Sequence, residues 1–356
     1  MKNKMLTLVI NPGSTSTKIG IYQGSKSVFE KGFNHSLEEL EKYNSIEEQV
    51  SYRKRLILNA IDESEFELND LAIVMARGGL LKPVTSGVYL VNFTMIDELI
   101  HNKRKHASNL AAIIGHSIAE ELGIQAYIAD PVVVDELQDL ARVSGHPKFE
   151  KTSIFHALNT KAVGRKYAQS INQKYEDLNL IIVHMGGGIT IGAHNMGLVI
   201  DVNQGLDGEG PFSPERSGSL PSGDLVRLCF SGQHSEQDVL KMIVGKGGVS
   251  AFLGTNDMRE VEHRIEQGDQ EAKRILDAMI YQICKEIGSL FVVLEGKVDQ
   301  ILLTGGVAYS TYVTKAIMEK TSFLADTTVF PGENELDALA FNGEMVLNNK
   351  TEIKLY

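Results

Sequence analysis

The sequence predicts an α/β protein built from two related domains, and three observations lead to this prediction. Short apolar β-strand patterns alternate with longer helical patterns along the whole chain. A glycine-containing hairpin pattern near the N-terminus recurs about half a chain later, as it does in duplicated domains. The length of 356 residues exceeds what one hydrophobic core usually supports.

The first hairpin pattern covers residues 6–22, where two apolar runs rich in β-branched residues flank a polar turn. Asn11 stands at the end of the first run, and Ser14, Ser16 and Lys18 follow it. Backbone N–H groups, hydroxyls and a lysine at such a tip are able to bind an anion. A polar turn on an ordinary sheet has the same pattern, and Lys18 fits equally well as a solvated strand residue. Both interpretations are open at this point.

Hydrophobic periodicity predicts the elements that follow. They are a helix over 36–61, strands over 71–75 and 88–92, a helix over 103–122, a strand over 126–129, a helix over 155–170, a second hairpin over 180–192, a helix over 271–294, a strand from 298 to the double glycine Gly305-Gly306 with a helix-like segment after it, and a helix that begins near 331–340. In the second hairpin His184 takes the place that Asn11 has in the first. Acidic residues at the last helix start are either capping groups or part of a site.

The overall composition excludes some function classes. A net charge of -11 argues against a nucleic-acid binder, which needs a basic face. No apolar run approaches the roughly 20 residues of a membrane span, and none is typical of a signal peptide. Cys229 and Cys284 lie in apolar helical patterns without metal-ligand spacing, so they read as core residues of a reduced protein. We therefore expect a cytoplasmic protein that binds neither nucleic acid nor membranes.

Six motifs, in this order, resemble those of the acetokinase family within the sugar kinase, heat-shock-70 and actin superfamily. They are Val9-Ile10-Asn11-Pro12-Gly13-Ser14-Thr15-Ser16-Thr17-Lys18, Ile154-Phe155-His156, His184-Met185-Gly186-Gly187-Gly188, Arg216-Ser217-Gly218, Asn256-Asp257-Met258-Arg259 and Thr304-Gly305-Gly306. The resemblance covers nearly the whole chain. It implies two ribonuclease-H-like (actin-like ATPase) domains with ATP in the cleft between them. Residues 1–150 and 332–356 would form the substrate and phosphoryl side, and residues 151–331 the nucleotide side.

Within this family the sequence is more similar to the butyrate kinases than to the acetate kinases. Gly187 stands where acetate kinases have asparagine, and the segment 208–218 is typical of butyrate kinases. The resemblance implies reversible, Mg²⁺-dependent transfer of the γ-phosphoryl group of ATP to butyrate, and a homodimer or higher homo-oligomer. A branched-chain fatty-acid kinase acting on isobutyrate, and an acetate or propionate kinase, are the enzymatic alternatives. An ATP-binding regulatory or filament-forming actin-like protein is the alternative without activity.

Phosphoryl transfer to a carboxylate brings two anions together, and arginine suits this task because its planar fork binds carboxylate or phosphate through two hydrogen bonds. By resemblance, Arg77 binds the substrate carboxylate and Arg216 the transferring phosphoryl group. The other implied catalytic residues are Asn11, His156 and His184. The implied substrate-binding residues include Asp130, Pro211 and Phe212, and the implied nucleotide-binding residues are Ser14, Ser16, Lys18, Gly186, Gly187, Gly188, Asp257, Arg259, Gly305 and Gly306. Asp130 and Glu335 are the implied Mg²⁺ ligands, with Glu333 and Asp337 open as alternatives to Glu335.

Overall fold

The structure is a computed structural model that describes residues 5–102 and 106–356, apart from the side chain of Leu37. Its strands are β1 (Leu6–Pro12), β2 (Ser16–Gln23), β3 (Lys26–Asn34), β4 (Leu71–Arg77), β5 (Val88–Leu90), β6 (Gln125–Ala129), β7 (Asn179–Met185), β8 (Ile189–Asn195), β9 (Leu198–Val202), β10 (Gln300–Gly305), β11 (Thr327–Pro331) and β12 (Ile353–Leu355). Its α-helices are α1 (Leu37–Leu40), α2 (Gln49–Asp62), α3 (Phe93–His101), α4 (Asn109–Leu122), α5 (Asp139–Arg142), α6 (Ala157–Ser170), α7 (Ser222–Cys229), α8 (Glu236–Ile243), α9 (Gly248–Leu253), α10 (Met258–Glu266), α11 (Gln270–Val293), α12 (Thr311–Thr321) and α13 (Glu335–Leu347).

The chain divides into two compact units. The first contains the described residues up to Val134 together with Asn334–Tyr356, and the second contains Asp135–Glu333. The sequence prediction placed the two divisions after residues 150 and 331. In the structure the compact units divide after Val134 and after Glu333, so the segment 135–150 belongs to the second unit. This segment is tied to the second unit by a hydrogen bond from the Gln138 N–H to the Ile200 carbonyl.

The two units repeat one sheet pattern. The order β6-β4-β1-β2-β3 in the first sheet corresponds to β11-β10-β7-β8-β9 in the second. In each, three antiparallel strands form a meander whose first strand is continued by two parallel strands. The first sheet is extended beyond β6 by β5 and β12. This shared order confirms the internal repeat predicted from the two hairpins.

Helices cover both faces of the first sheet. Successive side chains of a strand point to opposite faces, so Val74 and Ala76 face one side and Met75 the other. Gly115 of α4 lies against Val74 and Ala76, and Gly343 of α13 lies against Met75. Since α4 and α13 cover the two faces of the sheet, a ligand can reach it at the strand ends. The loops and polar groups that follow β1, β4 and β6 lie there.

The second sheet is also packed on both faces. Ile181 and Val183 belong to a large core cluster with the apolar stripe of α11. Leu180 and Ile182, which alternate with them, belong to a separate cluster with residues of α6. The α11 stripe is the one predicted from helical spacing, and it is buried at Leu276, Ile280, Ile283 and Ile287. Both units are therefore three-layer α/β structures, which confirms the predicted fold class.

Some predicted elements were wrong in detail. The helix predicted over 36–61 is interrupted between α1 and α2. Here the Asn44 N–H donates to the Glu48 carboxylate and the Glu48 N–H to the Ser45 hydroxyl, so side-chain turns replace helical hydrogen bonds. The helix predicted over 103–122 begins at Asn109, and residues 103–105 lie outside the described residues. Cys229 is exposed at the end of α7 instead of lying in a core.

Within residues 5–102 and 106–356, none of the helices is both long and apolar enough to cross a bilayer.

The C-terminus of α4 provides a test of the backbone conformation. Gly123 has φ of 67°, and a β-carbon there would meet nothing within 4 Å, so only the left-handed conformation opposes a side chain. We expect Gly123→Ala to lower the free energy of unfolding by about 1 kcal/mol, measured by urea denaturation. Gly32→Ala is the control, because Gly32 lies in the same unit with equal space and no positive φ. Equal stability of the two variants would contradict this account of the cap.

Candidate active site

Polar side chains stand at the carboxyl ends of three adjacent strands in the first unit. Ile10 of β1 pairs with Ala76 of β4, and Arg77 of β4 pairs with Ala129 of β6. Asn11, Arg77 and Asp130 are therefore placed at neighbouring strand ends. In open α/β sheets ligands bind outside the carboxyl ends of the strands, so this row is a candidate ligand site.

A contact between three of the predicted residues joins this row to α13. The Asn11 side-chain amide donates to Glu335 Oε2 at 2.6 Å, and Arg77 Nη1 lies 3.1 Å from the same oxygen. Arg77 Nη1 also donates to Asn11 Oδ1 at 3.3 Å. Glu335 is buried at the first residue of α13, where the helix dipole favours a carboxylate. Residues distant in sequence thus hold Arg77 in one orientation at the sheet edge.

The three acidic residues around the start of α13 have different partners. Glu335 contacts Asn11 and Arg77, as described above. Asp337 accepts a hydrogen bond from the Tyr22 hydroxyl at 2.9 Å. Glu333, in the second unit, lies 3.2 Å from His184 Nε2. Glu335 is therefore the acidic residue that joins the strand-end row of the first unit.

Asp130 has an unusual backbone conformation, with φ of 38°. Its Oδ1 accepts hydrogen bonds from the Ser86 hydroxyl at 2.6 Å and the Gly87 N–H at 2.9 Å. A positive φ outside glycine is uncommon and is often found at functional sites. These contacts hold the buried carboxylate at the end of β6.

The turn of the first hairpin exposes part of its polar surface. Ser14 is exposed, Ser16 is partly buried and Lys18 points outward from β2. The structure places these three residues on the same hairpin as Asn11, since Asn11 pairs with Lys18 in the β1–β2 ladder.

In the second unit, two predicted histidines are stacked on each other. The rings of His156 and His184 lie 3.8 Å apart with an angle of 12° between them. His184 is fully buried, its Nδ1 is 2.8 Å from Asn159 Oδ1, and His156 Nδ1 is 2.9 Å from the Thr190 hydroxyl. Since an amide oxygen only accepts, the His184 Nδ1 carries the proton in this contact. His184 Nε2 is within 3.2 Å of Glu333 but outside hydrogen-bond geometry, so it has no hydrogen-bond partner within the described residues.

Each glycine of the second hairpin makes room for a different charged side chain. A β-carbon on Gly186 would lie 2.6 Å from Glu333 Oε1, and one on Gly187 would lie 3.1 Å from Glu215 Oε2. A β-carbon on Gly188 would collide with the guanidinium of Arg216. The triple glycine thus allows these charged side chains to lie directly against the hairpin backbone, Arg216 most closely.

Arg216 is positioned by two local contacts. Its Nη1 donates to the Gly205 carbonyl, and its backbone N–H donates to the Ser213 hydroxyl at 3.0 Å. Ser213 in turn donates to the Gly187 carbonyl at 2.6 Å, and the Gly205 N–H donates to the Ile154 carbonyl at 2.7 Å. Arg216, the glycine hairpin and the segment before His156 are therefore connected within one unit.

The third glycine site follows β10. Gly305 has φ of 90°, and a β-carbon there would collide with the Met185 carbonyl. A β-carbon on Gly306 would meet nothing within 4 Å. The helix-like segment predicted directly after it is a single 3₁₀ turn, and α12 begins only at Thr311. The backbone at this strand end is accessible at Gly306, which is exposed.

The remaining predicted residues lie in two other places. The Asp257–Arg259 pair is on the surface at the start of α10, and the hydrogen bonds from Arg259 lower the pKa of Asp257 to about 2. Pro211 and Phe212 are buried. Phe212 belongs to the large core cluster of the second unit, with its ring centroid 6.4 Å from that of Phe252. The structure therefore gives Phe212 a packing role.

Several residues of these clusters were not predicted from the sequence. They are Asn159 and Thr190, which contact the two histidines, Glu215, which lies over Gly187, and the buried Arg53, which contacts the first hairpin. None of them stands in a glycine-rich turn or at a predicted strand end. Thr190, inside the predicted second hairpin, and Glu215, next to Arg216, were within reach of a motif argument.

Two units with the repeated sheet order, each with polar residues at the strand ends, define a two-domain kinase-like fold. The crystal structure of acetate kinase from Porphyromonas gingivalis has this fold, with a TM-score of 0.80 and 18% identity over 96% of this chain and 100% of that chain. Residues 151–350, more than half of the chain, match the sequence profile of the acetokinase family.

The similarity to two curated proteins covers nearly the whole sequence. The chain is 52% identical to butyrate kinase 2 of Clostridium acetobutylicum over an alignment of 357 positions that covers 100% of both chains. It is 52% identical to butyrate kinase 1 of the same organism over 98% of this chain and 99% of that protein. The chain belongs to the acetokinase family.

The position of the Arg216 guanidinium against Gly188 can be tested structurally. We expect Gly188→Ala to displace the guanidinium from the Gly205 carbonyl by more than about 1 Å, because a methyl group at Gly188 occupies its place. A crystal structure of the variant measures this displacement. Gly288→Ala, on α11 of the same unit, is the control because a β-carbon at Gly288 meets nothing within 4 Å. An unmoved Arg216 side chain would show that the hairpin does not require glycine at this position.

Proposed function

We propose that this protein transfers the γ-phosphoryl group of ATP to butyrate and forms butyryl phosphate and ADP, reversibly. The observation that carries this proposal is the 52% identity, across the full length of both chains, to a protein named butyrate kinase. The strand-end residues supply charges and donors suited to that reaction. An ATP-dependent reaction of this kind fits a cytoplasmic enzyme, in agreement with the sequence prediction.

The first unit would hold the acceptor. Arg77 stands at the end of β4 with its guanidinium directed by Asn11 and Glu335. A bound carboxylate would accept two hydrogen bonds from this fork. Leu80 and Leu81 follow three and four residues later and are nearly buried, so they are suited to contact a short acyl chain. We therefore assign Arg77 to the butyrate carboxylate.

The second unit would contribute contacts to the nucleotide and to its phosphoryl groups, in addition to the phosphate contact expected from the first hairpin. The Gly186–Gly188 hairpin is accessible at Gly187, and Arg216 packs beside it. Arg216 would stabilise the equatorial oxygens of the transferring group, where charge spreads in the transition state. His156 and His184 would lie beside the phosphoryl oxygens, and His184 would donate to them from Nε2 as an imidazolium, since its Nδ1 proton is used by Asn159. Gly305 and Gly306 would border the nucleotide.

The donor set of the first unit fits a magnesium ion. Mg²⁺ prefers oxygen ligands and usually takes one or two carboxylates together with phosphate oxygens and water. Glu335 contacts Asn11 and Arg77 through Oε2, so Oε1 is the atom that would coordinate the ion. No group of three or more His, Cys, Asp or Glu side chains suited to a metal is found in 5–102 and 106–356. Asp130 and Glu335 would hold the ion, which neutralises charge on the nucleotide phosphates.

The reaction balances without a general base. A butyrate oxygen forms a bond to the γ-phosphorus while the bond from that phosphorus to the β–γ bridging oxygen breaks, and ADP takes the electron pair. The carboxylate is already deprotonated at pH 7, since its pKa is about 4 to 5. His156 and His184 therefore have a binding role in this proposal.

The acyl specificity is tested with a series of acids. We expect the purified protein, with ATP and Mg²⁺, to form acyl phosphate from butyrate, trapped as the hydroxamate, with a higher kcat/KM than from acetate. Each methylene contributes roughly 1–3 kcal/mol to such discrimination. Propionate, valerate and isobutyrate complete the series. A maximum at isobutyrate or at acetate would replace the proposed substrate, and no acyl phosphate from any acid would refute the kinase proposal.

The two arginines are predicted to act in different ways. Arg216→Ala should lower kcat by about a hundredfold or more while the KM for butyrate changes little, because its charge acts on the transition state. Arg77→Ala should mainly raise the KM for butyrate. Arg227→Ala is the control in the second unit, since Arg227 is exposed and pairs only with its neighbour Asp224 among the described residues. A near-normal kcat in Arg216→Ala with an intact fold would remove its assigned role.

A further inference from the structure

Arg53 of α2 is a fully buried cation beneath the first hairpin. Its Nη1 donates to the carbonyls of Gly13 at 2.9 Å and Ser16 at 2.8 Å and to the Thr17 hydroxyl at 3.0 Å. Its Nη2 donates to the Ser14 carbonyl at 3.1 Å. One side chain thus contacts four of the five residues 13–17.

The helix holds this guanidinium in place. Gln49, one helical turn before Arg53, accepts from Nε at 3.2 Å and from Nη2 at 2.9 Å through its side-chain oxygen. Thr17, which accepts from Arg53, is also 2.8 Å from His35 Nε2, and burial together with the Arg53 charge lowers the pKa of His35. A neutral His35 accepts the Thr17 proton, so each group of this buried network has a partner.

The contacts of Arg53 determine where the turn directs its N–H groups. In a planar trans peptide the N–H points opposite to the carbonyl. Because the Gly13 and Ser14 carbonyls point at Arg53, the N–H groups of Ser14 and Thr15 point away from it. These two N–H groups have no acceptor in the part of the chain that the structure describes, and both residues are exposed. Two adjacent outward N–H groups form an anion-binding arrangement.

Among the described residues, no carboxylate forms a hydrogen bond or an ion pair with Arg53. All of its hydrogen-bond acceptors within the described residues are neutral oxygens, namely backbone carbonyls, a hydroxyl and an amide. A buried cation is usually paired with an anion, because leaving water is unfavourable for an unpaired charge. Its field therefore adds to that of the two N–H groups and favours an anion on the exposed side of the turn.

We propose that Arg53 is the positioning residue that shapes the turn 13–17 for a phosphate group of the nucleotide. It acts through the backbone and does not touch the ligand. The role in ATP use rests on the kinase function proposed above, whereas the ordering of the turn by Arg53 does not. Loss of Arg53 should loosen the turn and weaken the use of ATP while the use of butyrate stays the same.

The test compares four variants of the full-length protein. Arg53→Gln removes the charge and the fork, and Arg53→Lys keeps the charge without the planar fork. Gln49→Leu leaves Arg53 in place but removes the acceptor that directs it. Arg55→Gln is the matched control, since Arg55 lies on the same helix and is exposed. Thermal unfolding shows which variants are folded.

Two measurements decide the outcome. Hydrogen–deuterium exchange of the Gly13 N–H, which donates to the Ser16 carbonyl at 2.8 Å, should become at least about tenfold faster in Arg53→Gln. In the hydroxamate assay kcat/KM for ATP should fall by roughly ten- to a hundredfold, as for a displaced positioning contact, with the KM for butyrate within about twofold. Arg53→Lys should show a smaller loss, and Arg55→Gln should match the wild type in both.

The failure of each proposal is distinguishable. If the wild type forms no acyl phosphate, the kinase proposal fails, and the exchange measurement still decides whether Arg53 orders the turn. If Arg53→Gln does not fold, Gln49→Leu replaces it, with faster exchange and a lower kcat/KM for ATP expected. A folded Arg53→Gln or Gln49→Leu with unchanged exchange, or with unchanged kcat/KM for ATP in an active protein, overturns the proposal.

Discussion

The parallel pairing of the first meander strand with its next neighbour is the constraint on which both units depend. In the first unit β1 pairs with β4, and in the second β7 pairs with β10. Parallel strands end at the same edge of a sheet, so whatever follows each strand is collected there. Register then decides which residues become neighbours. Asn11 and Arg77 meet for this reason, and so do His184 and Thr304, which pair directly.

Tight turns at these edges depend on what packs over them. At the second hairpin Glu333, Glu215 and Arg216 each lie close over a different glycine, where a side chain would displace them. The first hairpin has one glycine in its turn, and there a buried arginine contacts the carbonyls from below. In the second hairpin charged side chains pack on the glycine backbone, and in the first a buried cation binds the carbonyls of the turn. Both solutions leave one side of the turn accessible.

The sequence predicted the hairpins and their strand ends well, because these are local patterns. The apolar runs before Asn11 and His184 are strong strand signals, and the glycines after His184 mark its turn. The partner of Arg77 could not be predicted in this way. Glu335 is distant in sequence and looks like an ordinary helix-start carboxylate, and only the packing of α13 on β1 brings it to Arg77.

Other features depended on side chains that carry no local signal. Arg53 lies inside a charged helical stretch, where an arginine normally faces solvent. Its burial follows from the way α2 lies under the hairpin, and periodicity alone does not show that. For Cys229 the prediction was wrong in the opposite sense. Its apolar helical pattern predicted burial, but Cys229 is exposed at the C-terminal end of α7. Periodicity identifies a face of a helix, but the tertiary structure decides what covers that face.

The repeat explains why the same fold position carries different chemistry in each unit. Asn11 and His184 both stand one residue before the end of the first meander strand. In the first unit that position meets an arginine and a carboxylate, which suits recognition of an acid. In the second it meets a histidine ring, an amide oxygen and a glycine turn, which suits oxygen atoms of a phosphate. Strand pairing sets the place of the residue, and the neighbours that each unit supplies set what the residue does.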